Sequence, residues 1–226
     1  MSCFVGIVAQ MLAKIEGAFF RFLLNEKPFV DIDGRQRCRT KEYNEVTVSN
    51  ENALQHGGYA KFDGTAALEI QRGLATDWRL HSDFVLDGWV RLTSNKMFNT
   101  ILNYAGLSNG LLLRVNSGPD DVYINNQSNP IDTRPIFPIN EWVYFAFVRT
   151  GSNVELWTSQ NNAVPTRRVV QNVGTSVINP TNQNPFFSST VNTNFTNQFL
   201  AGDLSDVRLA HPIVTTINKT TVPMTF

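Results

Sequence analysis

Short apolar and aromatic runs alternate along the chain with clusters of turn-forming residues. Residues 84–92 and 142–149 are the longest runs, and clusters such as Asp63-Gly64 and residues 150–153 separate one run from the next. Turns that recur every roughly 8 to 12 residues are typical of β-sandwiches and barrels. Residues 142–149 are apolar at both alternating positions, which predicts a strand that is covered on both faces. The pattern therefore predicts an all-β protein.

The pattern divides the chain into three zones. Residues 53–212 carry the regular strand rhythm and are predicted to form the sandwich, while residues 213–226 form a tail. Residues 1–52 are predicted to be an extended N-terminal arm. Its first 13 residues are apolar except for Ser2 and Gln10, but they lack a preceding cation for a signal peptide and are shorter than the about 20 residues that span a bilayer. We therefore expect a soluble protein whose arm is covered by a partner.

A cationic stripe follows in the arm, where every second residue is basic: Arg35, Arg37, Arg39 and Lys41. On a strand these four side chains would project from one side, because side chains alternate between faces. One interpretation is an edge strand that its charges protect from aggregation. The other is a docking site for an acidic partner, for which we favour a protein over nucleic acid.

Composition narrows the classes of function. The formal net charge is zero at pH 7, which argues against bulk electrostatic binding to nucleic acid or to an anionic membrane. The chain has 16 Phe, 4 Trp and 24 Asn, a composition suited to pleated strands and turns. Cys3 and Cys38 are too few for a disulfide framework or a zinc site, and a reduced pair is expected.

Four segments in register resemble the laminin-G-like branch of the concanavalin A-like lectin/glucanase superfamily. They are Gly-Tyr-Ala-Lys-Phe-Asp-Gly at 58–64 with Leu-Glu-Ile at 68–70, Asp-Phe-Val-Leu-Asp-Gly-Trp-Val-Arg at 83–91, Glu-Trp-Val-Tyr-Phe-Ala-Phe-Val-Arg at 141–149 with Val-Glu-Leu-Trp at 154–157, and Ala-Gly-Asp-Leu-Ser-Asp-Val-Arg at 201–208. The hairpin after residue 157 departs from the family pattern, and nothing in the family resembles residues 1–52.

The resemblance implies a two-sheet antiparallel jelly-roll sandwich. It also implies that the matched aromatic residues fill the space between the sheets and mark the fold rather than a site. These residues are Phe62, Phe84, Trp89, Trp142 and Trp157.

Catalytic patterns are missing from the sequence. Glucanases of this superfamily carry acidic residues at alternating positions of one strand, which places two carboxylates about 5 Å apart. The nearest pattern here, Asp31 and Asp33, lies in the arm and lacks a third acid. The three histidines have no metal-binding spacing. We therefore expect no enzyme activity, no catalytic residue and no cofactor.

Calcium is the one metal for which the sequence offers ligands. Asp120 and Asp121, together with Asp203 or Asp206, provide the carboxylate oxygens that calcium takes from loops. Ordinary acidic turns explain the same residues, and we favour that interpretation.

Aromatic and amide side chains near turns are candidates for carbohydrate binding. They are Tyr104, Asn109, Tyr123, Asn125 and Asn126. Turn residues that merely face solvent give the same pattern.

Two hypotheses of function follow. The first is a non-catalytic structural protein of a phage or virus particle, either a capsid decoration protein or a tail-associated subunit. The arm would then bind a major capsid or tail protein, and the sandwich would be displayed on the virion as a homo-oligomer. The second is a carbohydrate-binding module, soluble and facing the exterior, whose ligand is a cell-surface glycan.

Overall fold

The structure of the chain is a computed structural model, and its described part consists entirely of β-strands, turns and irregular segments. The residues described are 18–30, 32, 38–54, 57–71, 79–80, 83–94, 99–104, 110–115, 120–124, 127–131, 137–160, 163–178, 184–188 and 199–210. Within these ranges no helix is long and apolar enough to cross a membrane.

Fifteen strands are formed by the described residues. In chain order they are β1 (Ala18–Phe22), β2 (Arg39–Tyr43), β3 (Thr47–Ser49), β4 (Tyr59–Asp63), β5 (Ala67–Gln71), β6 (Phe84–Leu92), β7 (Asn99–Tyr104), β8 (Leu111–Val115), β9 (Asp120–Ile124), β10 (Gln127–Ile131), β11 (Trp142–Thr150), β12 (Asn153–Gln160), β13 (Thr166–Asn172), β14 (Phe186–Phe187) and β15 (Ala201–Ala210).

The strands form two sheets. An eight-stranded sheet has the order β13-β12-β11-β6-β15-β4-β3, with β1 also paired to β15, and a seven-stranded sheet has the order β10-β9-β8-β7-β14-β5-β2. The strand pairings described in both sheets are antiparallel. The predicted fold, an all-β antiparallel sandwich of the jelly-roll type, is confirmed.

The main core takes side chains from both sheets. Leu68, Leu102 and Leu113 of the seven-stranded sheet cluster with Leu86 and Phe145 of the eight-stranded sheet. Burial of such side chains stabilises each by about 1.5–3 kcal/mol relative to exposure. Strand β11 is buried at seven consecutive positions, 143–149, so both of its faces are covered, as its sequence predicts.

Part of the predicted arm belongs to the sandwich. Strand β1 pairs with β15, β2 with β5 and β3 with β4. Buried residues of this region join the main core, namely Phe22, Leu24, Phe29, Cys38 and Val46. Strands β1, β2 and β3 therefore lie on the N-terminal side of the boundary expected at residue 52, yet they pair with strands of both sheets. Residues 1–17, Cys3 among them, and the tail 213–226 lie outside the described residues.

Candidate functional site

The outer face of the eight-stranded sheet is rich in aromatic residues. Successive side chains of a strand point to opposite faces. Val90 and Phe145 point into the main core, so their neighbours Trp89 and Tyr144 point to the outer face. Trp142 and Trp157 pack against the same outer cluster, and Tyr59 contacts the ring of Trp142. We call this surface the tryptophan face and define it by Tyr59, Trp89, Trp142, Tyr144 and Trp157.

The prediction that all five matched aromatic residues fill the space between the sheets is wrong for the three tryptophans. Phe62 and Phe84 lie between the sheets, as expected, but Trp89, Trp142 and Trp157 belong to the outer cluster. The alternation of residues 142–149 already separates Trp142 and Tyr144 from Phe145 and Phe147. That signal was present in the sequence, although it does not tell which of the two sets faces the other sheet.

One end of the tryptophan face is built by a row of four residues on neighbouring strands. Trp142 pairs with Arg91, Arg91 with Asp203, and Asp203 with Lys61. The guanidinium carbon of Arg91 lies 4.7 Å from the ring centre of Tyr59 and 4.9 Å from that of Trp142. Cations at this distance from an aromatic ring are attracted by its quadrupole. The row therefore holds a half-buried indole in a fixed position.

Hydrogen bonds lock this end of the face. Arg91 Nε donates to Asp203 Oδ2 at 2.8 Å, and Trp142 Nε1 donates to the carbonyl oxygen of Asn52 at 3.1 Å. Leu54, two residues later, packs against the aromatic cluster. The segment around residue 52 is thus held against the tryptophan face.

Asp203 has one acceptor atom left over. Its side chain is 2% exposed, and within the described part of the chain Oδ1 is a buried oxygen without a hydrogen-bond partner. Burial raises the pKa of Asp203, while its bond to Arg91 opposes that shift. A buried acceptor without a partner costs about 1–3 kcal/mol, and this oxygen is closed to solvent.

The second half-buried tryptophan also has a carboxylate beside it. Trp157 Nε1 donates to Glu155 Oε2 at 2.8 Å, and Arg167 lies 3.5 Å from Glu155 Oε1. Trp157 pairs with Ala146, four positions along β11 from Trp142. Ordinary strand spacings then place the Cα atoms of the two tryptophans roughly 14 Å apart.

Tyr144, which lies on β11 between the levels of Trp142 and Trp157, is bonded to a buried ionic group. Asp87 accepts hydrogen bonds from the Tyr144 hydroxyl, at 2.7 Å, and from two nitrogens of the Arg208 guanidinium. Burial raises the pKa of Tyr144 well above its ordinary value, and the charge of Asp87 adds to the effect. The hydroxyl therefore stays protonated and donates to Asp87, which fixes the centre of the face.

Of the residues predicted to bind carbohydrate, the two that the structure describes do not lie on the tryptophan face. Tyr104 is fully buried in the main core, so its prediction as a sugar-binding residue is wrong: the residue lies on the inner face of β7. Tyr123 lies on β9 of the other sheet. Asn109, Asn125 and Asn126 lie outside the described residues.

The cationic stripe is seen in part. Arg39 and Lys41 are exposed on β2, the terminal strand of the seven-stranded sheet, and Lys41 Nζ lies 4.6 Å from the ring centre of Tyr43. Arg35 and Arg37 lie outside the described residues, as do Asp31 and Asp33. An edge position fits the protective interpretation, and docking of a partner stays a prediction.

The proposed calcium ligands are separated by the fold. Asp120 and Asp121 lie on β9 of the seven-stranded sheet, whereas Asp203 and Asp206 lie on β15 of the other sheet. Asp206 forms a bidentate pair with Arg21, at 2.7 and 3.0 Å. Asp203 pairs with Arg91 and Asp206 with Arg21, both within the eight-stranded sheet, which disfavours a site shared with Asp120 and Asp121, and calcium binding by those two residues stays a prediction. The described ranges contain no cluster of three or more potential metal ligands.

Solved binding domains share this fold. The binding domain of Paraclostridial Mosquitocidal Protein 1 superposes with a TM-score of 0.64 at 12% identity, over 89% of this chain and 50% of that one. The binding domain of botulinum neurotoxin serotype D gives 0.62 at 11%, over 91% and 50%. Domain 4 of AbnA, a GH43 extracellular arabinanase from Geobacillus stearothermophilus, solved with arabinotriose, gives 0.60 at 10%, over 86% and 93%.

These comparisons establish the fold and no closer relationship. The chain spans about half the length of the two toxin binding domains that it matches. No protein-family model and no curated protein matches the sequence. The chain is thus an all-β jelly-roll sandwich, a fold that these binding domains share.

Proposed function

We propose that the chain is a non-catalytic glycan-binding module and that the tryptophan face is its binding surface. The observation that carries the proposal is the presence of two half-buried tryptophans, Trp142 and Trp157, on one face of the sheet. Trp157 donates to the buried carboxylate of Glu155, and the ring of Trp142 lies against the guanidinium of Arg91. Aromatic rings offer a flat apolar surface, and a few fixed polar groups beside them provide orientation.

The position of these residues supports the proposal. The outer face of a sandwich sheet is ordinarily polar, because it meets solvent. On this face Tyr59, Trp89 and Tyr144 are buried, whereas Trp142 and Trp157 are half-buried, so these two tryptophans are the rings that we expect to reach a ligand. The likeness to a domain solved with arabinotriose, which covers 93% of that domain, favours a saccharide as the ligand.

Calorimetric titration of the full chain with arabinotriose, after a screen on a glycan array, tests the proposal. We expect saturable binding by the unaltered chain and at least about tenfold weaker binding by Trp142→Ala and by Trp157→Ala, a loss of about 1.4 kcal/mol each. Val170→Ala is the matched control, because Val170 is an exposed apolar residue of the same sheet and pairs with Glu155. Binding to no glycan, or equal binding by all variants, would contradict the proposal.

The particle hypothesis stays a prediction. Its main motive was a free arm over residues 1–52, and residues 18–49 contribute three strands to the sandwich. Location on a virion, contact with a capsid or tail protein and homo-oligomerisation therefore await a direct test. Co-purification of the chain with particles is the measurement that decides them.

A further inference from the structure

Three strands at one edge of the eight-stranded sheet carry an excess of positive charge. Strands β11, β12 and β13 lie within residues 142–172, where Arg149, Arg167 and Arg168 are basic and Glu155 is the only acidic residue. The chain as a whole has no net charge, so the excess is local. A surface dominated by one sign of charge attracts ligands of the opposite sign.

Two of these arginines lie at the surface of the sheet. Arg167 and Arg168 are exposed on β13, the terminal strand, and Arg168 Nε donates to the Thr158 hydroxyl at 2.9 Å. Arg149 is buried, and backbone carbonyl oxygens accept its hydrogen bonds. Because Glu155 offsets only one of the three charges, this edge of the sheet stays positive.

Arg167 is the direct cross-strand neighbour of Trp157. Its side chain is 53% exposed, and Trp157 is half-buried. The carboxylate of Glu155 lies against both residues, since Oε2 accepts from Trp157 Nε1 and Oε1 lies 3.5 Å from Arg167 Nη1. A guanidinium group has five N–H donors in a planar fork, so Arg167 keeps donors on its exposed side for a ligand.

We infer that the Trp157 end of the tryptophan face is a subsite for saccharides that carry a carboxylate group, and that Arg167 donates hydrogen bonds to that carboxylate. The inference rests on the proposed function and adds the ligand class and one specificity-determining residue. The apolar side of the sugar ring packs on the indole, while the fork of Arg167 matches the planar carboxylate.

Paired calorimetric titrations of the full chain with trigalacturonate and with its fully methyl-esterified form test the inference. The two probes share one sugar skeleton and differ in charge. We expect trigalacturonate to bind at least about tenfold more tightly, because hydrogen bonds between charged groups are stronger than neutral ones.

Equal binding of the two forms, or tighter binding of the ester, would overturn the inference and leave the proposed glycan function standing. The same holds if the chain binds arabinotriose but neither form of trigalacturonate. A blank glycan array together with no binding of any of the three probes would remove the proposed function itself.

Arg167→Gln tests the named residue. We expect the preference for trigalacturonate over its ester to fall to about twofold or less, and Arg167→Lys to give an intermediate preference, because lysine keeps the charge but lacks the planar fork. Arg39→Gln is the matched control, since Arg39 is an exposed arginine of the other sheet, and it should keep the full preference. An unchanged preference in folded Arg167→Gln would refute the role of Arg167.

Salt dependence of binding to the unaltered chain is a second measurement that needs no variant. Raising the ionic strength from about 0.01 M to about 0.15 M shortens the Debye length from about 30 Å to about 8 Å. We expect the affinity for trigalacturonate to fall severalfold and that for the methyl ester to stay constant. Affinities that respond equally to salt would contradict recognition of the carboxylate by charge.

Discussion

The two faces of the eight-stranded sheet use different aromatic residues. The inner face carries phenylalanine, with Phe84, Phe145 and Phe147 fully buried in the main core. The outer face carries tryptophan and tyrosine. Trp142, Tyr144 and Trp157 each donate a hydrogen bond through the polar atom of the ring, to Asn52, Asp87 and Glu155 respectively.

The difference has a physical cause. A buried indole N–H or phenol O–H needs an acceptor, and side chains that interdigitate between two hydrogen-bonded sheets meet mainly apolar neighbours. Phenylalanine has no such requirement. The outer face can supply carboxylates and loop carbonyls, so rings with a polar atom are satisfied there. The inner face therefore serves stability, and the proposed binding surface lies on the outer face.

Phe145→Ala is expected to give the largest effect on stability. Phe145 is fully buried between the sheets, and truncation of a buried phenylalanine costs about 3–5 kcal/mol. Urea denaturation followed by circular dichroism measures the change, with Phe145→Leu as the milder substitution. A loss below about 1 kcal/mol would show that the inner face is less tightly packed than the structure indicates.

Asp87→Asn is expected to rank second, at about 3 kcal/mol. The substitution leaves the Arg208 guanidinium without its carboxylate, and removal of one partner of a buried pair is strongly destabilising. Tyr144→Phe removes only one hydrogen bond to Asp87 and should cost about 1.5–3 kcal/mol. A double-mutant cycle of the two positions measures their coupling energy. Additive effects would mean that Asp87 and Tyr144 do not stabilise the fold through their hydrogen bond.

Trp142→Ala should lower the free energy of unfolding by about 1–2 kcal/mol, less than Phe145→Ala, because Trp142 is only half-buried. The same variant should lose most of its affinity for saccharide, whereas Phe145→Leu should retain it. This contrast separates a recognition face from a stabilising face. Similar stability losses at both positions, with binding intact in both, would erase the distinction.

The smallest effect is expected at the rim, where strand β4 ends. The Thr65 hydroxyl holds the pKa of Asp63 below its ordinary value, helped by the backbone N–H groups of Thr65 and Ala66. A lowered pKa in the folded state gives stability that is present above about pH 4 and is lost as the pH falls through the folded value. Asp63→Asn should cost about 0.5 kcal/mol at pH 6, since the residue is exposed.

Urea denaturation of the unaltered chain and of Asp63→Asn at several pH values between 6 and 2 checks this prediction. The difference in the free energy of unfolding between the unaltered chain and Asp63→Asn should shrink as Asp63 becomes protonated. A difference that stays constant with pH would mean that the turn is held by other contacts.

Much of the fold could be predicted from the sequence, but the pairing of the strands in the predicted N-terminal arm could not. Its strands pair with β15, β5 and β4, and two of these partners lie close in sequence while β15 lies near residue 200. Short apolar segments between turns look alike whether they pair with a neighbour or project from the domain. The prediction that Tyr104 binds carbohydrate was wrong for a related reason, since an aromatic residue near a turn can belong to the core.

The sequence by itself determined the strand rhythm, the all-β class and the sandwich, because alternation and turn residues act over a few positions. It also determined which residues of β11 share a face. Only the tertiary structure decided which face meets the second sheet, because both faces of that strand are apolar and period-two alternation is symmetric between them. Contacts between distant strands also brought Asp203 next to Arg91, which is 112 residues away in the chain.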